Sequence, residues 1–189
     1  MKLIFLRHGQ TNYNVKDLCN GQPNSRVRLT ALGIKQAKAA ALKLKNEPIE
    51  AIFISALFRS AQTAKAVNIY HTLPLHKDKR LNDRSMGIFE GHPAGLFYVW
   101  RDKQKNPWTC HPPKGGESFE EMKKRFASFI KDLSTKKYKT VLVVTHLPIL
   151  KVARGYFKHL SNKAMDALTD TQVKNCTIFC FNFKNSKKS

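Results

Sequence analysis

Three short apolar runs each stop at a polar, chemistry-bearing residue and lead into a helical or turning segment, and this pattern constrains the fold of the chain more than any other feature. Leu3 to Leu6 runs directly into Arg7-His8-Gly9-Gln10-Thr11. Ala51 to Ile54 reads as a short buried strand, followed by Ser55 and then by Arg59 and Gln62-Thr63 at the start of a helical pattern. Thr140 to Thr145 is the strongest strand, β-branched almost throughout, and ends at His146 with Pro148 opening the next helix. Gly9 is read as the residue that permits the turn, through backbone angles closed to other side chains.

In an open α/β sheet, ligands bind in the crevice beyond the carboxyl ends of the strands. Such a sheet would bring two histidines and two arginines to one crevice. That set suits a tetrahedral dianion, because arginine forks donate in pairs to phosphate oxygens and helix N-termini add backbone N–H groups. Taken singly, each residue also reads as an ordinary hydrogen-bonded member of a strand-to-helix turn.

The matching segments extend much further. They are Leu6 to Asn14, Leu29-Thr30-Ala31-Leu32-Gly33 with Gln36-Ala37, Ser55 to Ala64, Leu81 to Arg84 with Gly87 and Glu90-Gly91, Gly115 to Ser118, and Val143 to His146. On these residues the chain resembles the histidine phosphatase superfamily, the phosphoglycerate mutase-like family, over most of its length. The resemblance implies an α/β fold: a three-layer α/β/α sandwich around a mostly parallel, doubly wound central sheet. It also implies that His8 attacks phosphorus and becomes a transient phosphohistidine, while Arg7, Asn14, Arg59 and His146 cradle the phosphoryl oxygens. His8 must be neutral to attack, and a histidine among arginines is biased against carrying its own proton.

The family's general acid falls on Asp83, where many members carry glutamate. Aspartate can do the same chemistry but reaches one methylene less far. Glu117, near a helix start, is the alternative carboxylate and a candidate substrate contact; Ser118 and Glu121 beside it read as a capping box. Two further departures are Leu147-Pro148, where a glycine commonly follows the second histidine, and the Gly21 to Arg28 loop, which carries two extra cations. Gln22 in that loop is a candidate substrate contact or a residue facing water.

The stretch from His92 to Pro113 mixes aromatics, cations and prolines; Gly95 to Trp100 reads as part of a helix and Asn106 to Pro113 as irregular. The resemblance makes this excursion a cap over the site, with Tyr98, Trp100, Arg101 or Trp108 touching the group that carries the phosphate. Packing in a small hydrophobic cluster is the competing reading. Elsewhere, Ile34, Ala37, Ala41 and Leu44 are expected to line the buried side of one helix, and Met122, Phe126, Phe129 and Leu133 that of another. The run Cys176 to Phe181, apolar on both faces, is expected inside the sheet or under a helix.

At 189 residues the chain fits one domain, taken as 1–183, with a basic tail at 184–189 expected to fray. No apolar run reaches membrane-spanning length and no signal peptide is evident, so a cytoplasmic protein without a membrane partner is expected. Cys19, Cys110, Cys176 and Cys180 form no CxxC pair, and the remaining histidines lack zinc-site spacing. Neither a metal nor another cofactor is expected. With 34 Lys and Arg against 13 Asp and Glu, the net charge of +21 concentrates anions near the protein. A small phosphorylated substrate fits that charge; nucleic acid fits it too, but is not favoured.

The resulting expectation is a metal-independent phosphomonoesterase acting through a phosphohistidine. The alternatives are a cofactor-dependent phosphoglycerate mutase and, in another class, a phospho-ligand or polyanion binding protein with little catalysis.

Overall fold

The computed structural model describes residues 1–167 and 173–183; the basic tail lies outside the described residues. Five strands form one sheet: β1 (Lys2–Arg7), β2 (Ala51–Ile54), β3 (Leu75–Lys77), β4 (Thr140–Thr145) and β5 (Ile178–Asn182). Their order is β3-β2-β4-β1-β5, parallel except for β5, which runs antiparallel to β1. β2, β4 and β1 are the inner strands, and β1 and β4 are apolar on both faces, as a sheet covered on both sides requires.

The alternation of side chains along β1 and β4 divides the core in two. Leu3, Phe5, Val141 and Val143 face α5 (Phe119–Ser134) and α6 (Leu147–Lys158). Ile4, Leu6, Leu142 and Val144 face α2 (Ala31–Leu44) and α3 (Phe58–Asn68). These helices form the two outer layers of an α/β/α sandwich. Shorter helices α1 (Asn12–Val15), α4 (Ala94–Asp102) and α7 (Asn162–Asp166), with 3-10 turns at Lys79–Leu81 and Gly87–Phe89, complete the described fold.

Met122, Phe126, Phe129 and Leu133 are all buried on α5, whose N-terminus carries the capping box of Ser118 and Glu121. On α2 the buried side is Gly33, Ala37, Ala40, Ala41 and Leu44, while Ile34 is 45% exposed, contrary to the sequence reading. The last strand takes the second of its two expected placements, under a helix, on one face, and is not inside the sheet. It occupies an edge of the sheet, with Phe181 stacked on Phe157 of α6 at 4.7 Å on one face and Cys180 exposed on the other. Its apolar residues cover the end of the core without being enclosed by neighbouring strands.

Gly9 is needed for a reason other than the one inferred from sequence. Its φ is not positive; instead, an added Cβ would lie 2.4 Å from the Gly33 carbonyl oxygen. A Cβ on Gly33 would in turn lie 2.0 Å from the Gln10 carbonyl. The two glycines let the turn after β1 rest directly on the first turn of α2.

Candidate active site

The register of β1 against β4 creates the site. Arg7 pairs with Thr145, so the next residue on each strand, His8 and His146, emerges side by side at the carboxyl edge. The His8 N–H still bonds the Thr145 carbonyl at 2.9 Å, and the two imidazoles stand 5.1 Å apart between centroids. β2, the other neighbour of β4, ends level with them: the Ser55 N–H bonds the Val144 carbonyl at 3.1 Å. From there the chain enters α3, which delivers Arg59 from its first turn.

Arg59, almost fully buried, ties the centre together. Its Nε–H lies 3.2 Å from both His8 Nε2 and His146 Nδ1, and its Nη2 donates to Asp83 Oδ2 at 2.9 Å and the Asn20 carbonyl at 2.8 Å. Asp83 Oδ2 is also 3.6 Å from His146 Nδ1. Arg7 donates to the Val173 carbonyl, which holds its guanidinium beside the pocket. Arg7, His8, Asn14 and Asp83 all line one pocket of about 370 Å³. His146 and Arg59 are not among its lining residues; Arg59 is tied to it through its bonds to His8 and Asp83, and His146 through Arg59.

Each ring nitrogen has a distinct role. His8 Nδ1 lies 2.8 Å from the carbonyl oxygen of Gly9. A carbonyl only accepts, so Nδ1 carries the hydrogen and Nε2 presents its lone pair toward Arg59. On His146, Nε2 lies 2.7 Å from Ser55 Oγ, whose hydroxyl in turn reaches Ser60 Oγ at 2.9 Å. Burial, with Arg59 and Arg7 adding to it, holds His8 well below the usual histidine value. His146 is lowered in the same way by burial, Arg59 and His8. Burial pushes the Asp83 carboxyl up, against the opposing pull of Arg59.

Asn14 caps its own short helix: its Oδ1 accepts from the Thr11 N–H at 3.0 Å, and the residue lines the pocket. Two candidate contacts lie elsewhere. Glu117 directs both carboxylate oxygens onto Arg125, at 2.5 and 2.8 Å, and does not line the pocket. Gln22 is exposed and donates to Ser85 Oγ at 2.9 Å. Of the four cap residues weighed from sequence, Tyr98 lines the pocket. Trp100 packs on Phe89 and Phe97, Arg101 pairs with Asp102 and Asp166, and Trp108 packs on Phe119. Leu147 and Pro148 line the pocket as well, so the departure after His146 alters its wall while α6 still starts there.

Several supporting residues were given no role in the sequence reading. Ser55, Ser60 and Asn175 have common side chains at strand or helix ends, with no spacing to mark them. Asn175 donates to the His8 carbonyl at 3.1 Å, and Thr63 Oγ1 accepts from the Gly9 N–H at 3.1 Å.

A neutral imidazole with one fixed hydrogen, ringed by buried guanidinium groups and a desolvated carboxylate, is an arrangement for phosphoryl chemistry. The profile of the histidine phosphatase superfamily (branch 1) matches residues 3–189, and the chain belongs to that family. It is 31% identical over 157 residues to the adenosylcobalamin/alpha-ribazole phosphatase of Escherichia coli K12, covering 80% of this chain and 76% of that one. It is 33% identical over 135 residues to the fructose-2,6-bisphosphatase TIGAR of Xenopus tropicalis, covering 69% of this chain but only 49% of the longer frog protein. The crystal structure of the alpha-ribazole phosphatase from Shigella flexneri superposes with a TM-score of 0.81 at 26% identity, over 97% of this chain and 91% of that one. These relatives are phosphatases, and the Shigella structure shares the sandwich described above.

Proposed function

We propose that this chain hydrolyses a small phosphomonoester in two steps through a phosphohistidine on His8, with residues 1–183 acting as one catalytic domain. The observation that carries the reading is the bond from His8 Nδ1 to the Gly9 carbonyl, which keeps the hydrogen on Nδ1 and leaves the Nε2 lone pair of a neutral ring, here accepting from the Arg59 Nε–H at 3.2 Å, as the nucleophile. In the first step Nε2 forms a bond to phosphorus as the ester P–O bond breaks, and Asp83 gives its proton to the departing oxygen. In the second, Asp83 takes a proton from water, the water oxygen attacks phosphorus, and the N–P bond breaks to release inorganic phosphate.

Arg7, Arg59, Asn14 and His146 meet the charge that spreads over the equatorial oxygens. Fixed donors in a dry site lower the energy of such a state without reorganising, and this route calls on no metal. Burial raises Asp83 toward the protonated form that the first step requires. The pocket volume suits a small phosphorylated metabolite.

The test is release of phosphate from an aryl phosphate in EDTA, with loss of that activity in His8→Ala. Rapid quench should trap an acid-labile, alkali-stable phosphoenzyme. A mutase would instead need a bisphosphoglycerate primer and return its phosphate to the product, and either outcome contradicts simple hydrolysis.

A further inference from the structure

The residues proposed to hold the transferred phosphoryl group account for Arg7 and Arg59, but among the described residues they leave one further cation on the pocket wall. Lys174 lines the same pocket and is exposed, and it makes no ion pair with any described residue. Its position is not that of a wandering surface lysine. Arg7 donates to the carbonyl of Val173 on one side of it. On the other side, the Asn175 side chain and the Cys176 N–H donate to the carbonyl of His8 at 3.1 and 3.3 Å. The Thr177 N–H closes a turn on the Lys174 carbonyl at 3.1 Å. The backbone of Lys174 is thus fixed to the two residues that stand at the phosphoryl position.

The rest of the wall gives such a charge a direction. Gln10 and Gln36 are neutral and already bonded to the backbone or to Thr30, and Tyr98 and Phe97 are aromatic. Among the described residues, the carboxylates lining the pocket are Asp83 and Asp17, and Asp17 repels an anion from its own side. We propose that Lys174 receives a second anionic group, borne by the alcohol part of the substrate. The preferred substrates are therefore phosphomonoesters that carry a carboxylate or another phosphate within reach of the ester. This inference rests on the reading of His8 as phosphoryl acceptor.

Two matched pairs of probes test it: 3-phosphoglycerate against glycerol 3-phosphate, and fructose 1,6-bisphosphate against fructose 6-phosphate. Wild-type protein should favour the doubly anionic member of at least one pair in kcat/KM, and the pair that responds identifies carboxylate or phosphate as the ligand group. In Lys174→Met that ratio should fall on the order of tenfold, as expected for one charge-assisted contact, and Lys174→Arg should keep most of it. No preference in the wild-type protein, or an unchanged ratio in Lys174→Met, overturns the proposal.

Calorimetric binding of the same pairs to His8→Ala protein separates this claim from the catalytic one. Preferential binding that depends on Lys174, without turnover of any phosphate ester by wild-type protein, would uphold the subsite and sink the phosphohistidine reading. Turnover of aryl phosphate without discrimination in either pair would do the reverse.

Discussion

His8 and His146 are both held neutral by burial and by Arg59, and this couples folding to protons. Each has a folded-state value well below the 6.5 of an unfolded chain, so below that pH the unfolded state binds more protons than the folded one. Stability from these groups is therefore lost as pH falls, at up to about 1.4 kcal/mol per pH unit for each histidine. Urea melts should show His8→Gln gaining stability relative to wild type on going from about pH 7 to about pH 5, where the wild-type ring resists its proton. A constant difference across that range would mean that the ring is not held neutral. Asp83 carries the second residue-level prediction. Asp83→Asn should lower kcat/KM, which reports the first step, on the order of a hundredfold for an alkyl phosphate but much less for p-nitrophenyl phosphate, because the aryl oxide departs without a proton. Equal losses on both substrates would remove Asp83 as the acid. Arg7, His8, Arg59 and His146 were legible because each terminates a strand or opens the helix behind one. Glu117 and Gln22 were not, because a position near a helix start or in a loop does not reveal which neighbour a side chain will take, and here Arg125 takes Glu117.

Helix α5 does more than cover the sheet, since it fixes the segment that carries Asp83. Arg125, clamped by Glu117, donates to the Arg80 carbonyl at 2.6 Å and to the Asp83 carbonyl at 3.1 Å. An acid one methylene shorter than glutamate depends on where its backbone stands, and these bonds set that position. Arg125→Met should strand the Glu117 carboxylate, lower stability by roughly 3 kcal/mol, and reproduce in weaker form the leaving-group dependence of Asp83→Asn. Conservative Arg125→Lys should restore part of the stability, and less of the alkyl phosphate rate, because one ammonium cannot span both carbonyls. Loss of stability with equal slowing of aryl and alkyl substrates would assign Arg125 a purely structural part. Which elements could be read from the sequence follows from residue size. The Met and Phe stripe of α5 marks its buried face plainly, whereas the alanines of α2 weigh so little that Ile34 seemed to belong to the core. β5 was legible in part: Phe179 and Phe181 pack against the α6 cluster, as cover by a helix requires, yet the strand lies on an edge and leaves Cys180 exposed.

At the scale of the whole molecule, the sheet gathers its chemistry at one edge while the cations are spread along the entire chain. The mostly parallel arrangement was implied by the family resemblance, and the polar residues that end β1, β2 and β4 agree with it; the pairing of β1 with β4 was not legible, because strand order is set by contacts between segments far apart in sequence. A net charge of +21 raises the concentration of anions around the protein before any of them reaches the pocket. That contribution acts over distances that salt screens, whereas the buried contacts of Arg59 lie too deep to be screened in the same way. Raising ionic strength from about 0.01 M to about 0.5 M should therefore lower kcat/KM for a dianionic ester on the order of tenfold, while kcat stays within about twofold. Viscogen and salt series on one substrate would measure both. If kcat fell in step with kcat/KM, salt would be acting on the phosphoryl cage itself, and the dispersed lysines would have no part in substrate capture.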